Sequence, residues 1–207
     1  MLLRKNISLA TQFFVKMPTL VFATNNANKV AEIRNATGDL FSIIPLKEAG
    51  IDIDIAEPHN TLEANATEKS MTIYQITGLD CFSEDTGLEV ESLHGQPGVK
   101  SARYAGDGRN FDDNINKLLE NLDGIYNRQA QFRTVISLMQ NGVEHLFEGI
   151  CKGKIIEEKK GANGFGYDPV FVPNGSSLTF AEMDMAEKNR FSHRKKAVEK
   201  LLSFLKK

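Results

Sequence analysis

A stretch of polar residues near the beginning of the chain has the composition of an anion-binding site. It follows the apolar run from Thr19 to Ala23, which is typical of a buried strand, and precedes a helix predicted from Lys29 to Ala36. Free backbone N–H groups at a helix N-terminus attract phosphate, and asparagine amides and a lysine add donors. The predicted phosphate-binding residues are Thr24, Asn25, Asn26, Ala27, Asn28 and Lys29. An ordinary helix cap followed by an exposed lysine is the alternative.

Two adjacent carboxylates, Glu84 and Asp85, follow a strand predicted from Leu79 to Ser83. Neighbouring side chains on a strand point to opposite faces, so both acids reach one site only if the chain turns there. We therefore expect the segment from Glu84 to Gly87 to be a turn that closes the strand. Mg²⁺ usually keeps waters and phosphate oxygens, so one or two carboxylates suffice to hold it. An acidic turn without a function is the alternative.

Glu63, near the start of a predicted long helix, is a weaker candidate on its own. The helix is expected to begin near Asn60 and to continue to about Thr77, with Asn65 and Lys69 close to Glu63. The spacing of Asn60 and Glu63 also matches a capping box, in which the glutamate only bonds the helix start. Taken alone, that structural explanation is the better one.

A glycine-rich segment and a later helix start could together recognise a nucleobase. The order G-x-x-G-x-G at 161–166 is not the dinucleotide-binding order, and no Gly-Lys-Ser/Thr follows it. An aromatic face can stack on a planar base, while carboxylate, imidazole and guanidinium groups can read its edge. The candidate residues are Phe165, Gly166, Tyr167, Asp168, Lys188, His193 and Arg194. A glycine-rich hairpin and a helix cap that carries surface cations are the alternative.

The elements that would position these residues alternate between helices and strands. Besides those above, the patterns predict strands at 41–45, 132–139, 143–156 and 169–172, and helices at 111–122 and 192–205. Asn141-Gly142 between two of the strands is a strong hairpin signal. Early alternation with a central hairpin indicates an α/β or α+β fold with a mixed sheet.

The composition of the 207 residues limits the partners of the protein. Lys and Arg total 25 against 27 Asp and Glu, so no overall positive field would hold the chain on nucleic acid or an acidic membrane. No apolar run approaches the roughly 20 residues that span a bilayer. Cys81 and Cys151 lie far apart in the sequence, which favours a reduced compartment, and we predict a cytoplasmic protein.

Residues 1–17 are predicted to be an extension, with the folded domain at 18–207. Arg4, Lys5 and Lys16 are basic and no acidic residue occurs before Glu32, a composition weakly similar to that of a targeting peptide. Polar residues interrupt the apolar stretch, however, and there is no A-x-A cleavage signal. A disordered extension or an upstream start codon is the preferred interpretation.

Six motifs, taken together in this order, resemble the inosine triphosphate pyrophosphatase family. They extend from Thr19 to the C-terminus and read ATNNANK, TLEANATEK, SEDTGLEV, PGVKSARYAG, GFGYDPVF and AEKNRFSHR. The resemblance implies an α/β fold, a long twisted mixed β-sheet flanked by helices, with two lobes and a central active-site cleft. It also implies a homodimer that hydrolyses ITP, dITP and XTP to monophosphate and pyrophosphate. Residues 1–17 have no counterpart in the family pattern, and Glu84 stands where bacterial members often have Asp.

The family pattern also implies catalytic roles for the matching residues. Asp85 would be the proton acceptor that activates water at the α-phosphorus, with Glu84 and Lys69 in the catalytic set. Asp85 and Glu63 would bind Mg²⁺, with Mn²⁺ as an alternative ion. Lys29 and its asparagine neighbours would hold the phosphates, and Thr86 would add a hydroxyl contact.

Base selectivity would follow from hydrogen-bond polarity. Hypoxanthine and xanthine present a 6-oxo acceptor, which suits donors from His193 and Arg194, whereas adenine presents an amino donor there. Phe165 would stack on the base. The pocket would be completed by Gly166, Tyr167, Asp168 and Lys188.

Three other functions are alternatives to this one. A Maf-type pyrophosphatase acting on pyrimidine or modified nucleotides is disfavoured, because GFGYDP followed by SHR matches the purine-specific marker of the resemblance. A non-catalytic nucleotide sensor would need the same pocket without the water-activating acid, yet Asp85 and Glu63 are both present. A nucleic-acid-binding module would need a basic stripe, which the sequence lacks.

Overall fold

The framework of the protein is a mixed sheet of seven strands. This computed structural model describes residues 19–206, and the predicted extension at 1–17 lies outside them. The strands are β1 Thr19–Phe22, β2 Ser42–Pro45, β3 Cys81–Val90, β4 Pro97–Gly98, β5 Gln129–Gln140, β6 Val143–Ile155 and β7 Phe171–Pro173. Their order is β2-β1-β3-β5-β6-β7, with β4 beside β3. β1 is parallel to β2 and β3, whereas the pairs from β3 to β7 are antiparallel.

Helices cover both faces of this sheet, which confirms the predicted α/β class. They are α1 Ala27–Thr37, α2 Leu62–Thr77, α3 Phe111–Asn121, α4 Met185–Asn189 and α5 His193–Leu205. Val135 packs with α2, while its neighbour Ile136 packs with α5, so α2 and α5 lie on opposite faces of β5. Of the helices in residues 19–206, none combines the length and apolarity that a membrane crossing requires.

The apolar core has two main centres along the sheet. One contains Phe22, Ile33 and Val198, where α1 and α5 pack on β1 and β5. The other contains Leu118 and Phe171, where α3 packs against the region of β7 and the far ends of β3 and β5.

β3 does not end where the sequence predicts. Instead of a turn at Glu84–Gly87, the strand continues to Val90 and pairs with β5 along its whole length. Gly87 lets the neighbouring β4 approach, because a Cβ there would lie only 2.6 Å from the carbonyl oxygen of Gly98. The predicted turn is therefore wrong, and Glu84 and Asp85 point to opposite faces of the sheet.

Helix starts and the hairpin follow local chemistry more closely. Ser192 caps α5 as predicted, accepting a hydrogen bond from the backbone N–H of Lys195. Asn141 and Gly142 both have positive φ angles, as the predicted hairpin turn requires. Thr61 caps α2 in place of Asn60, because its hydroxyl lies three residues before the free N–H of the first turn. The capping box predicted from Asn60 is wrong.

Candidate active site

A cavity of about 370 Å³ is lined by residues of α1, α2, α3, α5, β3 and β5 and by the loop that carries Phe165. Most of the sequence-predicted site residues line it: Thr24, Asn25, Asn26, Lys29, Lys69, Asp85, Thr86, Phe165, Gly166, Tyr167, Asp168, Lys188, His193 and Arg194. The four predicted residues that are not part of this lining are Ala27, Asn28, Glu63 and Glu84. The structure thus brings together both parts of the predicted site: the predicted phosphate-binding segment around Lys29, called the polyanion end, and the predicted base-binding segments around Phe165 and His193, called the base end.

The N-terminus of α1 forms the polyanion end of the cavity. The Asn26 side chain caps the helix by accepting from the backbone N–H groups of Asn28 and Lys29, at 3.0 and 3.2 Å. Asn26 thus plays the capping role that the sequence left open, and Asn25 donates to the carbonyl of Ile53 at 3.4 Å. The Lys29 ammonium lies 2.8 Å from Glu84 and is only 17% exposed. This end offers a helix N-terminus and a positioned cation to an anionic ligand.

Glu84 is buried on the α5 face of β3 and serves as the partner of cations. It accepts from Arg194 at 2.9 and 3.2 Å, from Lys29, and from the Thr86 hydroxyl at 3.2 Å. Burial disfavours its ionised form, yet Arg194 and Lys29 hold the pKa of Glu84 well below its usual range. A carboxylate so fully paired is a structural anion that orients Lys29 and Arg194.

Asp85 is on the opposite face, where α2 packs. Lys69 donates to it at 3.1 Å and Asn65 at 3.5 Å. Burial raises the pKa of Asp85 above its usual value, and the nearby Lys69 and Lys29 only partly offset that rise. A carboxylate with a raised pKa that faces a cavity is suited to accept a proton.

Glu57 is a second carboxylate at this point, and the sequence reasoning missed it. Lys69 donates to Glu57 at 2.8 Å and so lies between Glu57 and Asp85, while Arg103 donates to its other oxygen at 3.2 Å. The two acids share one ammonium, and the more deeply buried Asp85 holds its proton more readily. The alternation of Ile51, Ile53 and Ile55, which all pack on the core, extends to position 57 and could have revealed an inward-facing acid.

The Glu63 side chain does not lie beside Asp85. Its carboxylate accepts from the Arg133 guanidinium at 2.6 Å, and Arg133 also contacts Glu89 and Glu148. The helical repeat explains this, because residues two apart on a helix point roughly 200° apart. Asn65 therefore faces Asp85 while Glu63 faces β5. The expected pair of Glu63 and Asp85 is not formed, and Glu57 lies beside Asp85 instead, on the other side of the shared Lys69 ammonium.

We predict that Glu57 makes stability sensitive to acid. Burial disfavours its charge, but Lys69 lowers the pKa of Glu57 from 4.5 to about 2. A carboxyl whose pKa is lower in the folded chain stabilises the fold above the unfolded pKa, and this contribution is lost as the pH falls. The difference in unfolding free energy between wild type and Glu57→Gln should therefore reach its maximum above about pH 4.5 and disappear near about pH 2. Urea denaturation at several pH values measures it, and parallel pH profiles for the two proteins would contradict it.

A chain of alternating buried charges connects the polyanion end with the base end. Its members in spatial order are Asp168, Lys188, Glu32, Arg194, Glu84 and Lys29. Lys188 lies 2.6 Å from Asp168 and 2.8 Å from Glu32, and Glu32 also contacts Arg194. Glu32 is 5% exposed and was not predicted, although its place one helical turn after Lys29 sets both on the same face of α1. Because each charge is paired, the series fixes the loop before β7 and the start of α5 relative to α1.

The loop that carries Phe165 is held by Asp168. The Asp168 carboxylate accepts from the backbone N–H of Phe165 at 2.9 Å, and a side chain on Gly164 would collide with that carboxylate. Burial raises the pKa of Asp168, although Lys188 opposes this effect. The Tyr167 hydroxyl donates to the carbonyl of Ser101 at 2.9 Å, so Tyr167 presents mainly its ring to the cavity. Phe165 is thereby placed at the cavity wall with a fixed backbone.

His193 and Arg194 both line the cavity, but they are not equally available as hydrogen-bond donors to a ligand. Burial holds the pKa of His193 well below its usual value, so its imidazole is neutral, stacked on Phe132 with ring centroids 4.7 Å apart. Within residues 19–206 the His193 Nδ1 atom has no hydrogen-bond partner. Arg194 directs most of its five N–H groups to Glu32, Glu84 and Thr86. His193 is therefore the freer of the two to bond a ligand.

The sequence matches known proteins over most of its length. A family model described as the Ham1 family matches residues 20–204. A protein named dITP/XTP pyrophosphatase from Flavobacterium psychrophilum is 52% identical over 187 residues, which cover 90% of this chain and 98% of that protein. A protein of the same name from Porphyromonas gingivalis is 49% identical, covering 91% of this chain and 98% of its own length.

Solved structures give the same picture. The structure of a HAM1 protein from Coxiella burnetii matches with a TM-score of 0.83 and 38% identity, covering 92% of this chain and 99% of that one. The Ham1 protein of Staphylococcus aureus matches with a TM-score of 0.82 and 36% identity, covering 91% of this chain and 98% of that one. Fold and sequence therefore agree over almost the whole described chain.

Proposed function

This chain belongs to the Ham1 family, and from that premise we propose that it hydrolyses inosine- and xanthosine-type purine nucleoside triphosphates to monophosphate and pyrophosphate. The curated relatives are named dITP/XTP pyrophosphatases. The observation that carries the proposal is the cavity itself, which has the cations Lys29 and Lys69 and the buried carboxylate of Asp85 at one end and the aromatic ring of Phe165 at the other. A nucleoside triphosphate likewise has a polyanionic chain at one end and a planar base at the other.

The triphosphate binds at the N-terminus of α1. Lys29 supplies a fixed positive charge there, held in place by Glu84, at the positive end of the α1 helix dipole. Asn25 adds an amide donor, and the Thr86 hydroxyl lies on the cavity wall nearby. These contacts place the α-phosphorus next to the strand that carries Asp85.

Asp85 accepts the proton of the attacking water. The water oxygen forms a bond to the α-phosphorus, the bond from that phosphorus to the oxygen bridging the β-phosphorus breaks, and pyrophosphate leaves. The raised pKa of Asp85 improves its match to this task, because a stronger base takes the proton more readily. Lys69 holds the carboxylate in position and neutralises charge beside it.

A divalent ion fits the same corner. Glu57 and Asp85 lie close together at the cavity wall, where both contact the Lys69 ammonium. Mg²⁺, or Mn²⁺ in its place, needs only one or two carboxylates, because such ions complete their shell with waters and substrate phosphates. Glu57 and Asp85 would hold the ion, which would offset charge on the phosphates.

The base site favours a 6-oxo purine. Neutral His193 can donate one N–H to the 6-oxo group of hypoxanthine or xanthine, while the adenine amino group would leave that donor unpaired. Phe165 stacks on the base, and the remaining N–H of Arg194 adds a second donor. Gly166, Tyr167, Asp168 and Lys188 shape the rest of the wall.

Hydrolysis in ¹⁸O-labelled water tests the proposed reaction. Attack at the α-phosphorus places the label in the inosine monophosphate and leaves pyrophosphate unlabelled. Label in the inorganic product, or release of orthophosphate in place of pyrophosphate, would contradict the proposal. The same assay with ATP in place of ITP serves as the control for base dependence.

We further propose that the enzyme acts in the cytoplasm as a homodimer and without nucleic acid or membrane partners. Both cysteines are buried thiols, and burial raises the pKa of Cys81 to about 12 and that of Cys151 to about 11. Two free thiols without a disulfide between them are what a reducing compartment maintains. Sedimentation equilibrium tests the dimer.

A further inference from the structure

Phe111 is a large aromatic residue that the core does not use. It is the first residue of α3, is 43% exposed, and belongs to none of the four apolar clusters formed by the described residues. Its aromatic neighbour is Phe165, with ring centroids 6.1 Å apart and planes tilted by 48°. Both rings line the cavity. Two neighbouring aromatic rings are therefore partly accessible to a ligand in the cavity.

The spacing of the two rings suits a flat ligand. A planar base between two rings needs roughly 7 Å between their centroids, since each carbon–carbon contact takes about 3.5 Å. The observed separation of 6.1 Å is within about 1 Å of that value. Phe111 can open by this amount through side-chain rotation, because its exposed ring is free of core packing. Phe165, in contrast, is anchored through Asp168 and lies within 5.6 Å of the Lys188 and Arg194 cations.

We propose that Phe111 is the second wall of the base site, so that the purine stacks on Phe165 and Phe111 covers its other face. This assignment rests on the proposed function, since the base is that of the hydrolysed nucleotide. Phe111 contacts the base and is remote from the reacting phosphorus, so it stabilises the bound substrate and the transition state equally. Its loss should raise KM and leave kcat nearly unchanged.

The sequence contains no tryptophan, which makes a direct test available. Phe111→Trp introduces a single indole, and stacking of a purine on it should quench its fluorescence. Addition of inosine monophosphate is expected to cause a saturable loss of emission, whereas inorganic tripolyphosphate, which has no base, should cause none. Tyr126→Trp is the matched control, because Tyr126 is fully exposed and outside the cavity, and its emission should not respond to either compound.

Steady-state kinetics with ITP provides the second readout. Phe111→Ala and Phe111→Leu should each raise KM about tenfold with kcat within about twofold of wild type, in line with the usual effect of losing one base-stacking partner. Phe111→Tyr, which keeps the aromatic face, should retain the wild-type KM. The leucine variant separates stacking from apolar cover, because Leu fills the space without a flat face.

The outcomes separate this assignment from the proposed function. Normal ITP hydrolysis by the Phe111→Trp variant, with emission that inosine monophosphate does not change, would overturn the role of Phe111 alone. An unchanged KM in Phe111→Ala would do the same. A wild-type protein that released no pyrophosphate from ITP would overturn the proposed function, and this assignment with it.

Discussion

Asp85→Asn should lower kcat for ITP hydrolysis by about 10³-fold, in line with the contribution of a positioned general base. The substitution keeps the size of the side chain and its contact with Asn65, but the amide cannot accept the proton of the attacking water. Glu57 remains as the carboxylate partner of Lys69, so the fold should stay intact. Pre-steady-state and steady-state rates of pyrophosphate release measure the effect, with the melting temperature as a check on folding.

Glu63→Gln is the matched control for this experiment. Both residues are acids that the sequence placed in one metal site, but Glu63 pairs with Arg133 outside the cavity. We expect Glu63→Gln to retain kcat within about twofold of wild type, because a half-exposed ion pair contributes little. Near-normal turnover in Asp85→Asn would remove Asp85 from the mechanism, and a collapse of turnover in Glu63→Gln would restore the pairing expected from the sequence.

Arg194→Met should lower the free energy of unfolding by about 3–5 kcal/mol, the usual cost of removing one partner from a buried ion pair. The Arg194 side chain is 2% exposed and lies between the carboxylates of Glu32 and Glu84. Methionine fills similar space, but the two buried acids then face each other without the guanidinium. Equilibrium denaturation in urea at neutral pH measures the loss.

The loss in Arg194→Met should become smaller as the pH falls. In the wild type Arg194 helps to lower the pKa of both acids, and the stability that this lowering provides is lost as the pH falls. The variant lacks part of that stability, so the two proteins become more alike at low pH. Arg190→Met is the control, since Arg190 is exposed four residues earlier, and its change should be within about 0.5 kcal/mol. Equal losses in the two variants would show that the buried series of charges does not hold the site together.

Much of the fold was predictable from local patterns. The hairpin at Asn141-Gly142, the Ser192 cap and most helices and strands follow from turn chemistry and hydrophobic periodicity, which act within a few residues. The turn predicted at Glu84–Gly87 was wrong because pairing with β5 continues the strand through polar residues. Such pairing depends on the neighbouring strand, so the residues of the segment alone do not reveal it.

Most residues of the site were predictable from the sequence, but most of the ion pairs between them were not. The segments around Lys29, Asp85, Phe165 and His193 do meet at one cavity. Sequence alone did not reveal that Glu84 and Asp85 face opposite sides, nor that Glu57 and Glu32 complete the two sets of ion pairs. Glu57 and Glu32 are separated in sequence from the cations that they pair with. Only the packing of α1, α2 and α5 on the sheet brings these acids and cations together.

The most direct test of the proposed function is pyrophosphate release from ITP, dITP, XTP and ATP, measured as kcat/KM with and without Mg²⁺. We predict values for the three 6-oxo nucleotides about 10⁴-fold above that for ATP, because a buried donor is left unpaired by the adenine amino group. We also predict that removal of the ion abolishes most of this activity. Equal kcat/KM for ATP and ITP would contradict the proposed function.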